Sequence, residues 1–137
     1  MKLRDDEGSA AVELVMIAPA LLLLIAVIVG SGRIVSTKSA VESVARESAR
    51  TASDASDSIS AREKGEVSAS ASAEGLGLDP LRLQVVTDAG DFNRGEPLTV
   101  RVSYEVKLAD LPGFGLLPGS FVVSARHTEI IERHKSR

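Results

Sequence analysis

From Leu14 to Gly32 the chain runs through nineteen residues without a charge, LVMIAPALLLLIAVIVGSG. Wound as a helix at about 1.5 Å per residue, the run reaches ~28 Å, close to the hydrocarbon thickness of a bilayer. Ser9 to Val12 extend it to 24 positions, broken only by Glu13. A buried core helix of this kind needs a far larger domain around it than 137 residues supply. A cleaved secretory signal has a shorter apolar stretch closed by a small-x-small site, whereas this one runs into Gly30-Ser31-Gly32-Arg33. The pattern predicts a transmembrane helix over 9–32, with a leader at 1–8 and a headpiece at 33–137.

Beyond Gly32 the helical period continues. Ile34, Val41, Val44, Ala45, Ser48, Ala52 and Ala55 mark one narrow face of small residues, predicting an amphipathic helix over about 33–56. Lys38–Glu42 and Glu42–Arg46 add i,i+4 pairs on its solvated side. Thr51 to Ala73 is rich in Ser and Ala, and suits either a linker or a second helix. Ser60-x-x-Glu63 reads as a capping box, and Gly75 with Gly77 as a stop, which favours a helix over about 58–73.

The last third changes period. Leu98, Val100, Val102, Tyr104, Val106 and Leu108 alternate with polar residues, the signature of a half-buried strand over about 97–108. Leu81, Leu83 and Val85 do the same over about 81–87, and Phe121, Val123 and Ala125 open a third strand over about 120–131. Asp88 to Glu96, with Gly90 and Gly95, supplies the first turn. The expected fold is α+β: a long N-terminal transmembrane helix continuing into an amphipathic helix packed on a three-stranded antiparallel sheet.

Between the second and third strands lies DLPGFGLLPGS, where three glycines and two prolines exclude a regular element. Its Leu111, Phe114, Leu116 and Leu117 have two readings. They form an interaction patch facing partner subunits or the bilayer, or they fold back over the open end of the sheet.

Composition narrows the chemistry. There is no cysteine, so disulfides, thiolate catalysis and Cys-based zinc sites are excluded. Sixteen basic against nineteen acidic residues leave a net charge of −3, which offers nucleic acid no basic field. Only His127 and His134 are available as histidines, and no nucleophile elbow, HExxH, P-loop or EF-hand loop accompanies them. His127 falls on the face of Phe121 and Val123, where a packed or half-exposed ring is expected. His134 belongs to the basic tail Arg133 to Arg137. No enzyme activity, cofactor, metal or small-molecule substrate is expected.

Glu13 is the exception in the apolar run. An ionised carboxylate costs about 2.5–3.5 kcal/mol at a membrane centre and less near an interface. If a peptidase cuts between Gly8 and Ser9, the new α-amine on Ser9 is cationic near neutral pH. It then lies about one helical turn from Glu13. Amine and carboxylate could pair between neighbouring helices and fix their stagger; otherwise Glu13 snorkels to the headgroups. Pro19 cannot donate to the carbonyl of Val15, so a mild kink is expected there. Gly30 and Gly32 are spaced too closely for a GxxxG face and read as flexible points.

Gly8-Ser9-Ala10-Ala11-Val12-Glu13-Leu14, then Ala18-Pro19 and a leucine run, resembles TadE-like proteins, pseudopilins of tight-adherence (Flp) pilus assembly. Gly32-Arg33 and Ala45-Arg46-Glu47-Ser48-Ala49-Arg50 fit the same pattern, so the resemblance covers roughly residues 4–50. It implies a single-pass protein of the bacterial cell envelope, its amino end cytoplasmic and its headpiece extracytoplasmic. It further implies cleavage after Gly8 by a prepilin peptidase, and a role in pilus biogenesis or related secretion. The expected partners are the membrane, other pseudopilins or pilins, and the pilus assembly machinery. The alternative is a single-pass, membrane-anchored extracellular binding or adhesion module.

Overall fold

The computed structural model describes residues 4–131, with side chains from Ala10 onward. The first three residues of the expected leader and the basic tail with His134 lie outside them. Helix α1 runs unbroken over Arg4–Ser53, fifty residues, with Pro19 inside it. Helix α2 covers Ser58–Gly75. The strands are β1 Leu83–Asp88, β2 Pro97–Lys107 and β3 Ser120–Ile130. They form an antiparallel meander in the order β1-β2-β3. The plan is α+β, as expected: a long apolar helix, a second helix and a three-stranded sheet.

Alternation decides which face is covered. On β2 the side chains of Leu98, Val100, Val102, Tyr104 and Val106 are all buried, while Arg101, Glu105 and Lys107 point to solvent. Register aligns the inner residues across the sheet: Val102 faces Val85 and Ala125, and Tyr104 faces Leu83 and Val123. Helix α1 packs on β2 and β3, and α2 packs on β1 and against α1. Burying one face of a short meander under two helices supplies the core that the strands alone lack.

Small residues set how closely these layers approach. Val41, Val44, Ala45, Ser48, Ala49 and Ala52 of α1 are fully buried. Helix α2 answers with Ala61, Gly65, Ala69 and Ala73, spaced every four residues along one face. At Gly65 the layers meet: a Cβ there would stand 3.0 Å from Thr87 Oγ1 and 3.5 Å from Ala52 Cβ. The hydroxyl of Ser68 donates to Thr51 Oγ1 across the same helix pair, at 3.2 Å.

The ends of α2 differ in detail from the capping box expected at Ser60 and Glu63. Asp57 is the N-cap; its Oδ1 accepts from the backbone N–H of Ile59 at 3.0 Å and of Ser60 at 2.9 Å. The hydroxyls of Ser56 and Ser60 donate to the other oxygen, both at 3.0 Å. The Ser60 amide first, then the serine hydroxyls, hold the Asp57 carboxyl below the ordinary aspartate range. At the other end Gly77 adopts φ +73, and the amides of Gly77 and Leu78 donate to Glu74 and Ala73. This is a Schellman close, with Leu78 buried behind it.

Strand β1 begins at Leu83 rather than near Leu81. Pro80–Arg82 form a 3-10 turn, and Asp79 Oδ1 accepts from the Leu81 amide. Leu81 is therefore turned out to solvent, 94% exposed, and does not share the inner face with Leu83 and Val85. The alternation at Leu108 also stops short, because Leu108–Asp110 turn away from β2 as a second 3-10 turn.

Candidate functional site

The two halves of α1 meet different surroundings. In the first, Leu14, Val15, Met16, Leu22 and Leu23 are each roughly 70% exposed to the protein's surroundings. Within this apolar segment of α1, an 18-residue stretch is long and apolar enough to cross a membrane, and none of it is buried inside the protein. Glu13 sits on the same bare stretch and is exposed. Gly8 and Ser9 lie in the helical backbone of α1, four and five residues after its first described residue. Pro19 leaves the Val15 carbonyl without its usual donor, yet the helix continues on both sides.

The β2–β3 connection touches α1 where the bare stretch ends. Gly30 is buried, and a Cβ on it would stand 3.4 Å from Phe114 Cε2. Gly113, at φ +82, comes so close that its own Cβ would be 2.5 Å from Ala26 Cβ. Gly30 is thus a seat for an aromatic ring. The expected flexible point is a packing site, because the missing side chain lets the loop approach. Ala26 and Gly30 are four residues apart, a small-xxx-small pair that the Gly30–Gly32 spacing obscures.

The four apolar residues of the connection separate. Leu111 is buried, so it does not belong to an exposed patch, and Phe114 is half-buried on Gly30. Leu116 is 100% exposed and Leu117 51%. Turn hydrogen bonds hold the loop: the amides of Phe114 and Leu117 donate to the carbonyls of Leu111 and Phe114.

Beside this loop a cleft of about 590 Å³ opens between α1 and the lower end of the sheet. Arg33, Thr37, Leu78, Asp79, Arg82 and Tyr104 line it. Its charges answer one another. Arg82 donates to Asp110 and approaches Asp79, and the hydrogen bond to Asp110 holds its guanidinium above the ordinary arginine value. The Tyr104 hydroxyl accepts from the Asp79 amide at 3.3 Å. These contacts fasten the α2–β1 connection to the sheet.

His127 lies on the inner face of β3, half-buried, with Nε2 3.1 Å from Glu129 Oε1 two residues on. Among the described residues, no three His, Cys, Asp or Glu side chains gather as a metal centre requires.

The model of the TadE-like protein family matches residues 8–50. Residues 8–50 are TadE-like. The match begins at Gly8, takes in Glu13 and the whole apolar run, and ends among the buried alanines of α1. The match spans 43 of the 137 residues. No curated protein and no solved structure matches. The TadE-like segment includes neither α2 nor the sheet.

Proposed function

We propose that this chain is a minor pseudopilin of tight-adherence pilus biogenesis. The bare, apolar half of α1 holds it in the membrane, with the amino end cytoplasmic and the headpiece outside. A prepilin peptidase cuts between Gly8 and Ser9. The observation that carries the reading is Glu13, an acid on an otherwise apolar helical stretch that no part of the folded headpiece covers.

Such an acid calls for a partner outside its own headpiece. Cutting after Gly8 makes Ser9 the first residue of the helix, with a cationic amine near neutral pH. Glu13 follows by about 6 Å along the axis. Within one helix the carboxylate also lies near the positive end of the macrodipole. Between adjacent subunits, amine and carboxylate pair only when the helices are offset by about that rise, so the contact sets the axial stagger. The exposed leucines and valines then pack helix against helix. Recruitment from lipid thus exchanges acyl-chain contacts for protein contacts, with the charge pair choosing the register.

Glu13→Gln tests this. It keeps nearly the same shape and eases insertion by removing the charge. The variant chain is expected in the membrane fraction at normal level, with co-purification of partner subunits and pilus output both reduced. Unchanged co-purification and output would overturn the pairing role.

A further inference from the structure

Residues 111–125 form the longest stretch after Gly32 without a charged side chain. Its first part is the β2–β3 connection, and the structure fixes the height of that connection along α1. Gly113 abuts Ala26, and Phe114 covers Gly30. Both belong to the uncharged run that ends at Gly32. Ala26 lies seven residues before Arg33, about 10 Å along the helix axis. Whatever surrounds the last turns of that run therefore surrounds the tip of the loop.

We infer that the β2–β3 connection is a second membrane contact, with Leu116 and Leu117 inserted among the acyl chains of the headpiece-side leaflet next to α1. This rests on the reading of α1 as a membrane helix. The loop is suited to the site in three respects. Its free side carries two leucines, one of them wholly exposed. Pro112 and Pro118 have no N–H to satisfy, and the amides of Phe114 and Leu117 are already bonded within the turn, which lowers the cost of placing backbone near lipid. The flanking charges, Asp110 at the start of the loop and Arg33 on α1, line the headpiece cleft with Asp79 and Arg82. With two points of attachment, the headpiece is held at one angle to the bilayer instead of swivelling about α1.

The absence of cysteine makes the test direct. Single-cysteine variants Leu116→Cys, Leu117→Cys, Ser124→Cys and Ile17→Cys of the whole chain are placed in nanodiscs of phosphatidylethanolamine and phosphatidylglycerol. Each is then exposed to a charged, water-soluble maleimide. Ser124 points to solvent from the outer face of β3, and Ile17 lies in the bare half of α1. Positions 116 and 117 are expected to react about tenfold or more slowly than 124, the partition expected for an apolar side chain in lipid. Since Leu116 is uncovered by its own chain, slowing in a nanodisc that holds one copy comes from lipid. Reaction at 116 as fast as at 124, with 17 still protected, would overturn the inference and leave the membrane helix standing. Protection at 116 that appears only after partner subunits are added would also overturn it, because the occupant would then be protein. Fast reaction at 17 would overturn both.

Discussion

The same helix is built in two ways on either side of Gly32. From Leu14 to Gly32, α1 is uncharged and apolar on every side, with leucine, isoleucine and valine facing outward around its circumference. After it, the apolar face narrows to a stripe of Val41, Val44, Ala45, Ala49 and Ala52, all fully buried under the headpiece. A helix that is hydrophobic all round is a membrane span or is covered by other protein, and one with a stripe has a protein neighbour on that side only. The lesson is that residue size tells the two solvents apart. Lipid accepts large, branched side chains without complementary shape, whereas the close packing of α1, α2 and the sheet demands alanine and glycine.

The sharpest break in this contrast comes from truncating one leucine in each region. Leu98→Ala, fully buried near the start of β2, is expected to cost the headpiece about 2–5 kcal/mol in denaturant unfolding. Leu23→Ala, whose side chain is 69% exposed, leaves the same unfolding curve unchanged. An equal loss at both positions would mean that the bare half of α1 packs on protein.

A charge reverses the ranking. Leu23→Arg adds about 3 kcal/mol to insertion, seen as a smaller share of chain in carbonate-washed membranes. Headpiece unfolding stays as it was.

The small-residue interface is sensitive to added volume. Ala69→Leu, on the stripe that α2 turns inward, is expected to cost about 1–3 kcal/mol by overpacking. Val67→Leu, on the exposed side of α2, is expected to be near neutral.

The smallest effect belongs to the cap of α2. Hydrogen bonds depress the Asp57 pKa in the folded chain, so the carboxylate stabilises the fold above its unfolded pKa. That contribution fades as pH falls below about 4 through the folded value. Asp57→Asn should flatten this part of the stability profile, which urea titrations at several pH values would measure.

Much of the architecture was legible because it is periodic. The uncharged run, the alanine-bearing stripe and the alternation from Leu98 to Val106 each report their own environment, residue by residue. What escaped was decided by contacts without a period. Leu81 alternates correctly, yet Asp79 and Pro80 draw it into a 3-10 turn. Ser60 and Glu63 spell a capping box, but Asp57, three residues earlier, caps the helix by accepting from the amides of Ile59 and Ser60. Gly30 reads as a loosened point in the helix, whereas Phe114 packs against it. Its one sequence signal is Ala26 four residues before, which shows that something approaches closely and not what. Gly8, Ser9 and Glu13 are legible as residues, while their role depends on molecules beyond a single chain.

In the proposed assembly, a cut after Gly8 gives the Glu13 carboxylate its cationic partner. It is tested most directly by intact-mass measurement of the chain extracted from membranes of cells that are making pili. A mature terminus at Ser9 is the expected result. A functional chain that still carries its first eight residues would contradict the proposal, since no cationic amine would then stand opposite Glu13.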